Sequence, residues 1–149
     1  MPVITCLLIA LIMVTSQDHS LIAAESEPIH VVIDSRKASW NLKEAWFFDV
    51  KLINPTDASI EVPFIYDAII EIDGDLYTQF PKPHVEGIPK LVIGSGKEGK
   101  ATLTLNGKGF QTLDAKTGSV PLKLGAGEHT LQLILGKHRS KTITFKIAE

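Results

Sequence analysis

Cysteine is almost missing from this chain: Cys6 is the single one among 149 residues, and it lies inside the first apolar run. Without that run no thiol remains, which excludes a disulfide framework, a cysteine zinc site and thiol chemistry. An acceptor for Asn-linked sugar is missing too, because Asn54-Pro55-Thr56 is blocked by its proline. Nor is there a surplus of one charge: 15 basic against 17 acidic side chains leave a net charge of -2. Such a balance argues against a nucleic-acid binder, and with 44% hydrophobic residues it also argues against a disordered chain. No Gly-X-Ser-X-Gly elbow is present to raise a nucleophile. Gly94-Ser95-Gly96-Lys97 lacks the earlier glycine and the following helix of a phosphate loop, and reads as a turn.

Histidines are present but scattered. His19 falls in the first segment, and His30, His84, His129 and His138 show no metal-ligand spacing. Asp73-Gly74-Asp75 offers two carboxylates, too few oxygens for calcium, and a hairpin turn accounts for it. The expectation is therefore no catalytic residue, no metal, no cofactor and no enzyme.

What is there begins at the N-terminus. Val3 to Val14 reads VITCLLIALIMV, twelve residues without charge. A bilayer span needs about 20 apolar residues, whereas a secretory signal needs only a run of this size. Basic residues do not appear before Arg36, so the terminal amine alone supplies positive charge ahead of the run. Small residues suit cleavage after Ser16 or after Ala24, and polar sequence begins at Glu25. The expectation is a signal peptide over residues 1–24 and one domain over 25–149, with no stable membrane span after its removal. Cys6 stands too early for a lipoprotein attachment site. An exported domain without disulfides or sugar acceptors fits a bacterial periplasm, envelope or extracellular setting.

From Glu25 on, the periodicity is two. Leu131, Leu133 and Leu135 alternate with Thr130, Gln132 and Ile134, and Ile143, Phe145 and Ile147 with Thr142, Thr144 and Lys146. Such alternation is the mark of half-buried antiparallel strands. Ala101, Leu103 and Leu105 repeat it, as do Ile29, Val31 and Ile33. Trp46, Phe48, Val50 and Leu52 belong to the longest and most apolar run, expected to be central, which ends at Asn54-Pro55-Thr56-Asp57. Ile60 to Ile65 contains Pro63 and reads as an edge strand or a bulge. Ala68 to Ile72 and Leu76 to Phe80 flank Asp73-Gly74-Asp75 as a hairpin. Gly136 to Ser140 reads as a polar hairpin connection, with Lys137, His138, Arg139 and Lys141 as a basic tip. Arg36 to Glu44 could form one helical turn. Two long connections remain, the proline-rich Pro81 to Pro89 and the glycine-rich Asn106 to Gly118. Seven or eight short strands at such spacing predict an all-β, antiparallel two-sheet sandwich.

The stretch Leu124-Gly125-Ala126-Gly127-Glu128-His129-Thr130-Leu131-Gln132-Leu133, followed by a final strand, resembles the end of secreted bacterial immunoglobulin-like and fibronectin-type-III-like modules. Phe48-Asp49-Val50-Lys51-Leu52-Ile53-Asn54-Pro55-Thr56 resembles a strand and turn of the same modules, and is also similar to the bacterial intracellular proteinase inhibitor family. The resemblance implies an Ig-like fold. The Cys, Trp, Cys pattern of antibody domains is absent.

Binding residues are sought among aromatics at strand ends and in loops: Trp40, Tyr77, Phe80 and Phe110, with His84 in the proline-rich loop. Rings there stack on sugars or anchor a protein, and they equally cap the ends of a core. The functional expectation is a non-enzymatic module of the cell envelope that binds another protein through loops or an edge strand. A carbohydrate-binding module is the first alternative, and a protease inhibitor presenting loop 81–89 the second.

Overall fold

The computed structural model describes residues 29–80, 90–105, 109–113 and 120–149. The expected signal peptide, the proline-rich connection 81–89 and most of the glycine-rich connection 106–118 lie outside the described residues. Those described form an all-β fold with no α-helix; one 3-10 turn spans Ile65–Asp67.

Twelve strands follow in order. They are β1 (His30–Ser35), β2 (Ser39–Asn41), β3 (Trp46–Ile53), β4 (Ile60–Val62), β5 (Ile69–Ile72) and β6 (Asp75–Gln79). Then come β7 (Leu91–Ile93), β8 (Glu98–Leu105), β9 (Phe110–Thr112), β10 (Gly127–Leu135), β11 (His138–Arg139) and β12 (Ile143–Ala148). The first sheet has the order β1-β3-β8. The second runs β2-β12-β10-β5-β6-β9, with β11 also paired to β10, and β4 pairs β7 in a small third sheet. Every strand pair is antiparallel except β12 with β2.

The alternation read in the sequence is the alternation of burial. Trp46, Phe48, Val50 and Leu52 are buried from β3, which lies between β1 and β8 as its apolar run led one to expect. Ile29, Val31 and Ile33 join them, as do Leu131, Leu133, Leu135, Phe145 and Ile147 from the second sheet. All belong to a single hydrophobic cluster, to which β4 and β7 add Val62 and Ile93. Phe48 of the first sheet and Phe145 of the second meet edge to face at 5.2 Å.

Five expectations need correction. The segment 36–44 forms no helix: one hydrogen-bonded turn closes at its end, Glu44 N–H to the Asn41 carbonyl at 3.2 Å, and Ser39–Asn41 is drawn into a strand because its backbone pairs in parallel with Lys146–Ala148. Ile134 does not lie on an outward polar face but is buried, since this end of β10 is covered on both sides. His138 is not at an exposed tip: the turn is only Gly136-Lys137, and His138 folds back, buried, beside Leu135. The glycine-rich connection carries β9 within it, because Gln79 and Phe110 pair in register. Strands outnumber the seven or eight expected because β2, β4, β7, β9 and β11 are edge pieces of two or three residues.

Candidate functional site

Three of the four aromatic candidates turn inward. Trp40 is 2% exposed, packs near Phe47 and Phe48, and donates its indole N–H to the Ser35 hydroxyl at 3.0 Å. Tyr77 and Phe110 are buried members of the core cluster. Burial, with Asp75 and Asp73 nearby, raises the Tyr77 pKa. Of the two roles open to such rings, stacking on a ligand or capping the core, the structure places these three in the core. Phe80 alone is open, at 54% exposure, its backbone N–H bound to the Gly109 carbonyl at 2.8 Å. His84 lies outside the described residues.

A different feature emerges between the two large sheets. A cavity of about 600 Å³ is lined by His30, Val31, Val32, Ile33 and Asp34 of β1 and by Arg139, Lys141, Thr142 and Ile143 at the β11–β12 junction. That volume is within the usual range for ligand sites. One parallel bridge, Val31 to Ser140, closes one end. Past it β1 and β12 form no further ladder pairs among the described residues.

Ladder polarity determines which backbone groups face this slot. The Arg36 N–H donates to the Phe47 carbonyl at 3.2 Å, which fixes the hydrogen-bonded pairs of the β1–β3 ladder. Bonded and non-bonded pairs alternate, so Val32 and Asp34 bond to β3 while Val31, Ile33 and Ser35 direct their N–H and C=O groups outward. Val31 is met by Ser140, which leaves Ile33 at the slot.

On the opposite wall the same reasoning applies. The Asp73 N–H donates to the Thr130 carbonyl and the Ser140 N–H to the Leu133 carbonyl. Odd-numbered residues of β10 therefore bond to β11 and β12, and Ile143 and Phe145 bond back. The register slips by one between Ser140 and Ile143, a bulge at Lys141-Thr142. Thr144 then directs its backbone groups away from β10, on the side that β2 covers only from Lys146 onward. The slot thus lies between the open edge of β1 at Ile33 and the segment Lys141 to Ile143, and Thr144 adjoins it as the next residue along.

Side chains around the slot set its charge. Arg139 reaches Glu71 at 3.8 Å and Gln132 at 3.5 Å. Lys141 and Asp34 form no ion pair with a described residue. Ser140 is buried, its hydroxyl accepting from the Leu133 N–H and donating to the Lys141 carbonyl, which anchors the bulge. The expected basic tip is thereby divided: His138 goes to the core, Arg139 toward Glu71, and Lys141 to the slot.

Other polar clusters are satisfied within themselves. Asp73 accepts from the Thr130 N–H and hydroxyl and lies 2.7 Å from His129. Arg36 donates to Asp49 and Thr102 on the outer face of the first sheet. No group of three or more His, Cys, Asp or Glu among the described residues is placed to hold a metal. Likewise no helix among them is long and apolar enough to cross a membrane.

No protein-family model matches the chain. No curated protein matches it either. Among solved structures, the CARDB domain of a Pyrococcus furiosus protein, in complex with di-metal ions, is similar with a TM-score of 0.51 and 10% identity. That likeness covers 80% of this chain and 87% of that one. The alkylpurine DNA glycosylase of Pseudomonas fluorescens is similar with a TM-score of 0.51 and 14% identity over 82% of this chain. A β-glucosidase of Erythrobacter marinus gives a TM-score of 0.49 and 12% identity over 80% of it. The chain spans only 31% of the glycosylase and 15% of the glucosidase. At such identities the likeness is one of fold.

Sequence reasoning missed the slot. It found β1, the 136–140 connection and the last strand separately, but their facing edges arise only from the Val31–Ser140 bridge, which no local pattern encodes.

Proposed function

We propose that this chain is a non-enzymatic interaction module of the bacterial cell envelope, exported by its leader over residues 1–24. Its domain over 25–149 is an Ig-like β-sandwich that holds an extended segment of a partner protein in the slot between β1 and β12. The sandwich reading is supported by the single core shared by both large sheets and by the likeness to a CARDB domain. Export is supported by the apolar run Val3 to Val14 and the small residues behind it.

The observation that carries the binding reading is the pair of facing strand edges. Backbone groups of Ile33 on one wall and of Thr144, next to the other, have no ladder partner among the described residues, and unpaired edges recruit extended chain. A partner strand would bond to both sheets at once. The glycan alternative, built on Trp40, Tyr77 and Phe80, keeps only Phe80 in the open, with Trp40 and Tyr77 buried. The inhibitor alternative rests on residues outside the described ones. Neither gains an observation of its own.

The test uses the chain as bait in its native envelope extract beside two variants. Thr144→Pro removes an outward N–H at an edge, where proline is tolerated, and Thr142→Trp fills the slot. A protein captured by the wild type and lost by both variants supports the reading. Capture unchanged by both variants moves binding elsewhere and overturns it.

A further inference from the structure

We infer that the segment taken into the slot is acidic, with its carboxylate set beside Lys141; this rests on the strand-binding reading above. The lining carries two fixed cations, Arg139 and Lys141, against one carboxylate, Asp34. Arg139 is partly engaged by Glu71 at 3.8 Å. Lys141 is the cation left over, exposed on the slot wall with no described carboxylate within ion-pair reach.

Position along the slot makes this more than a count. Lys141 follows the Val31–Ser140 bridge directly, whereas Asp34 sits three residues beyond Val31. Lys141 is itself one residue past the bridge, so at about 3.3 Å per residue the anion lies about 7 Å further along than the lysine. The end of the slot at the bridge is therefore cationic, and Asp34, set further along, makes no ion pair with Lys141. A neutral strand would satisfy the edges of Ile33 and Thr144 and leave Lys141 unpaired. A strand with Glu or Asp near the bridge satisfies both. A basic residue at that point would face Lys141 and Arg139 together.

The bulge explains how the lysine comes to be there. Ser140 bonds to Leu133 and to the Lys141 carbonyl, so the backbone at 141 is pinned while its side chain stays free. Pinning lowers the entropy lost when a carboxylate is met.

The probes are a blocked hexapeptide Val-Thr-Glu-Val-Thr-Val and its counterpart with Lys for Glu, titrated into the full chain while amide resonances are followed. The acidic peptide is expected to move the Ile33 and Thr144 amides and to bind about five-fold tighter, the scale of one partly exposed ion pair. In Lys141→Glu that preference reverses. Equal binding of both peptides at those amides overturns the acidic inference and leaves the strand-binding reading intact. No movement of those amides by either peptide overturns both.

Discussion

The imidazole of His129 is held from both sides: its Nδ1 lies 2.7 Å from a carboxylate oxygen of Asp73 and its Nε2 2.9 Å from the Gly125 carbonyl. A carbonyl only accepts, and an ionised carboxylate only accepts, so it is the protonated ring, donating from both nitrogens, that satisfies both contacts. It stands over Phe145 at 5.6 Å, at one end of the core. Burial pulls the His129 pKa down, but the bonds to Asp73 and Gly125 outweigh it and the net shift is upward. Burial likewise pushes Asp73 up, and the bonds from His129 and Thr130 outweigh it, leaving its pKa lowered.

Stability should therefore depend on pH through this pair. A raised histidine contributes fully below its ordinary value of about 6.5 and loses that contribution as pH climbs through the raised value. A lowered aspartate contributes above about 3.9 and loses it as pH falls through the lowered value. The pair is strongest between about pH 4 and 6.5. Asp73 is 44% exposed, so the gain is discounted for water to about 1 kcal/mol. Denaturant midpoints should fall from pH 6 to pH 8.5, and that slope should flatten in His129→Gln and in Asp73→Asn. Asparagine is the chosen substitute because residue 73 has φ of 52°, which it tolerates. An unchanged slope in both variants would remove the pair as its cause.

Asn54 is a second clamp, and a costlier one to break. It is fully buried, and its amide donates to the carbonyls of Ala58 at 2.7 Å, Ile93 at 2.9 Å and Gly94 at 3.0 Å. Its side-chain oxygen accepts from the Thr56 N–H and hydroxyl. One side chain thus ties the end of β3 to the β7–β8 turn. Asn54→Ala leaves the buried Ile93 carbonyl unmet, takes a donor from those of Ala58 and Gly94, and should cost about 3 kcal/mol. Asn54→Asp should cost more still, because it aims a carboxylate at three carbonyls. Thr56→Val should cost only about 1 kcal/mol. Urea unfolding at pH 7 reads all three, and equal midpoints for Asn54→Ala and Thr56→Val would refute the ranking.

The aromatic candidates divide by burial, and mutation should show the division. Trp40→Ala opens a cavity beside Phe48 and frees the Ser35 hydroxyl, at a cost of about 3–5 kcal/mol. Phe80→Ala removes a ring that is mostly in water and should fall within about 0.5 kcal/mol of wild type. Thermal unfolding followed by tryptophan emission separates them. A Phe80→Ala loss as large as that of Trp40→Ala would mean the ring is covered in solution.

Much of this fold was legible because its alternation is local. Val31, Ile33, Phe48, Val50, Leu131, Leu133, Phe145 and Ile147 announce an inward face by spacing alone, and Asp73-Gly74 announces its own hairpin. The site was not legible in the same way. Trp40 looked like a loop aromatic because nothing local reveals that Ser39–Asn41 pairs with Lys146–Ala148, more than a hundred positions away. Asn54 read correctly as a turn residue, yet its bonds to Ile93 and Gly94 depend on a distant loop. The slot depends on a one-residue register slip at Lys141-Thr142, and hydropathy does not record register.

Ladder polarity at the slot gives the most direct check on its walls. Within β1, the amides of Val32 and Asp34 bond to β3, while that of Ile33 faces the slot. Within β12, the amides of Ile143 and Phe145 bond to β10, while that of Thr144 faces outward. Residue-resolved hydrogen exchange on the unliganded chain should show Ile33 and Thr144 exchanging by local exposure, about a hundred-fold or more faster than their immediate neighbours. Burial of the Ile33 side chain makes its fast amide a sharp expectation, since hydropathy alone would place it among the slowest. Equal protection of Ile33, Val32 and Asp34 would mean that the slot is already filled by another part of the chain. Selective protection of Ile33 and Thr144 after adding a partner would then mark the strand that completes both sheets.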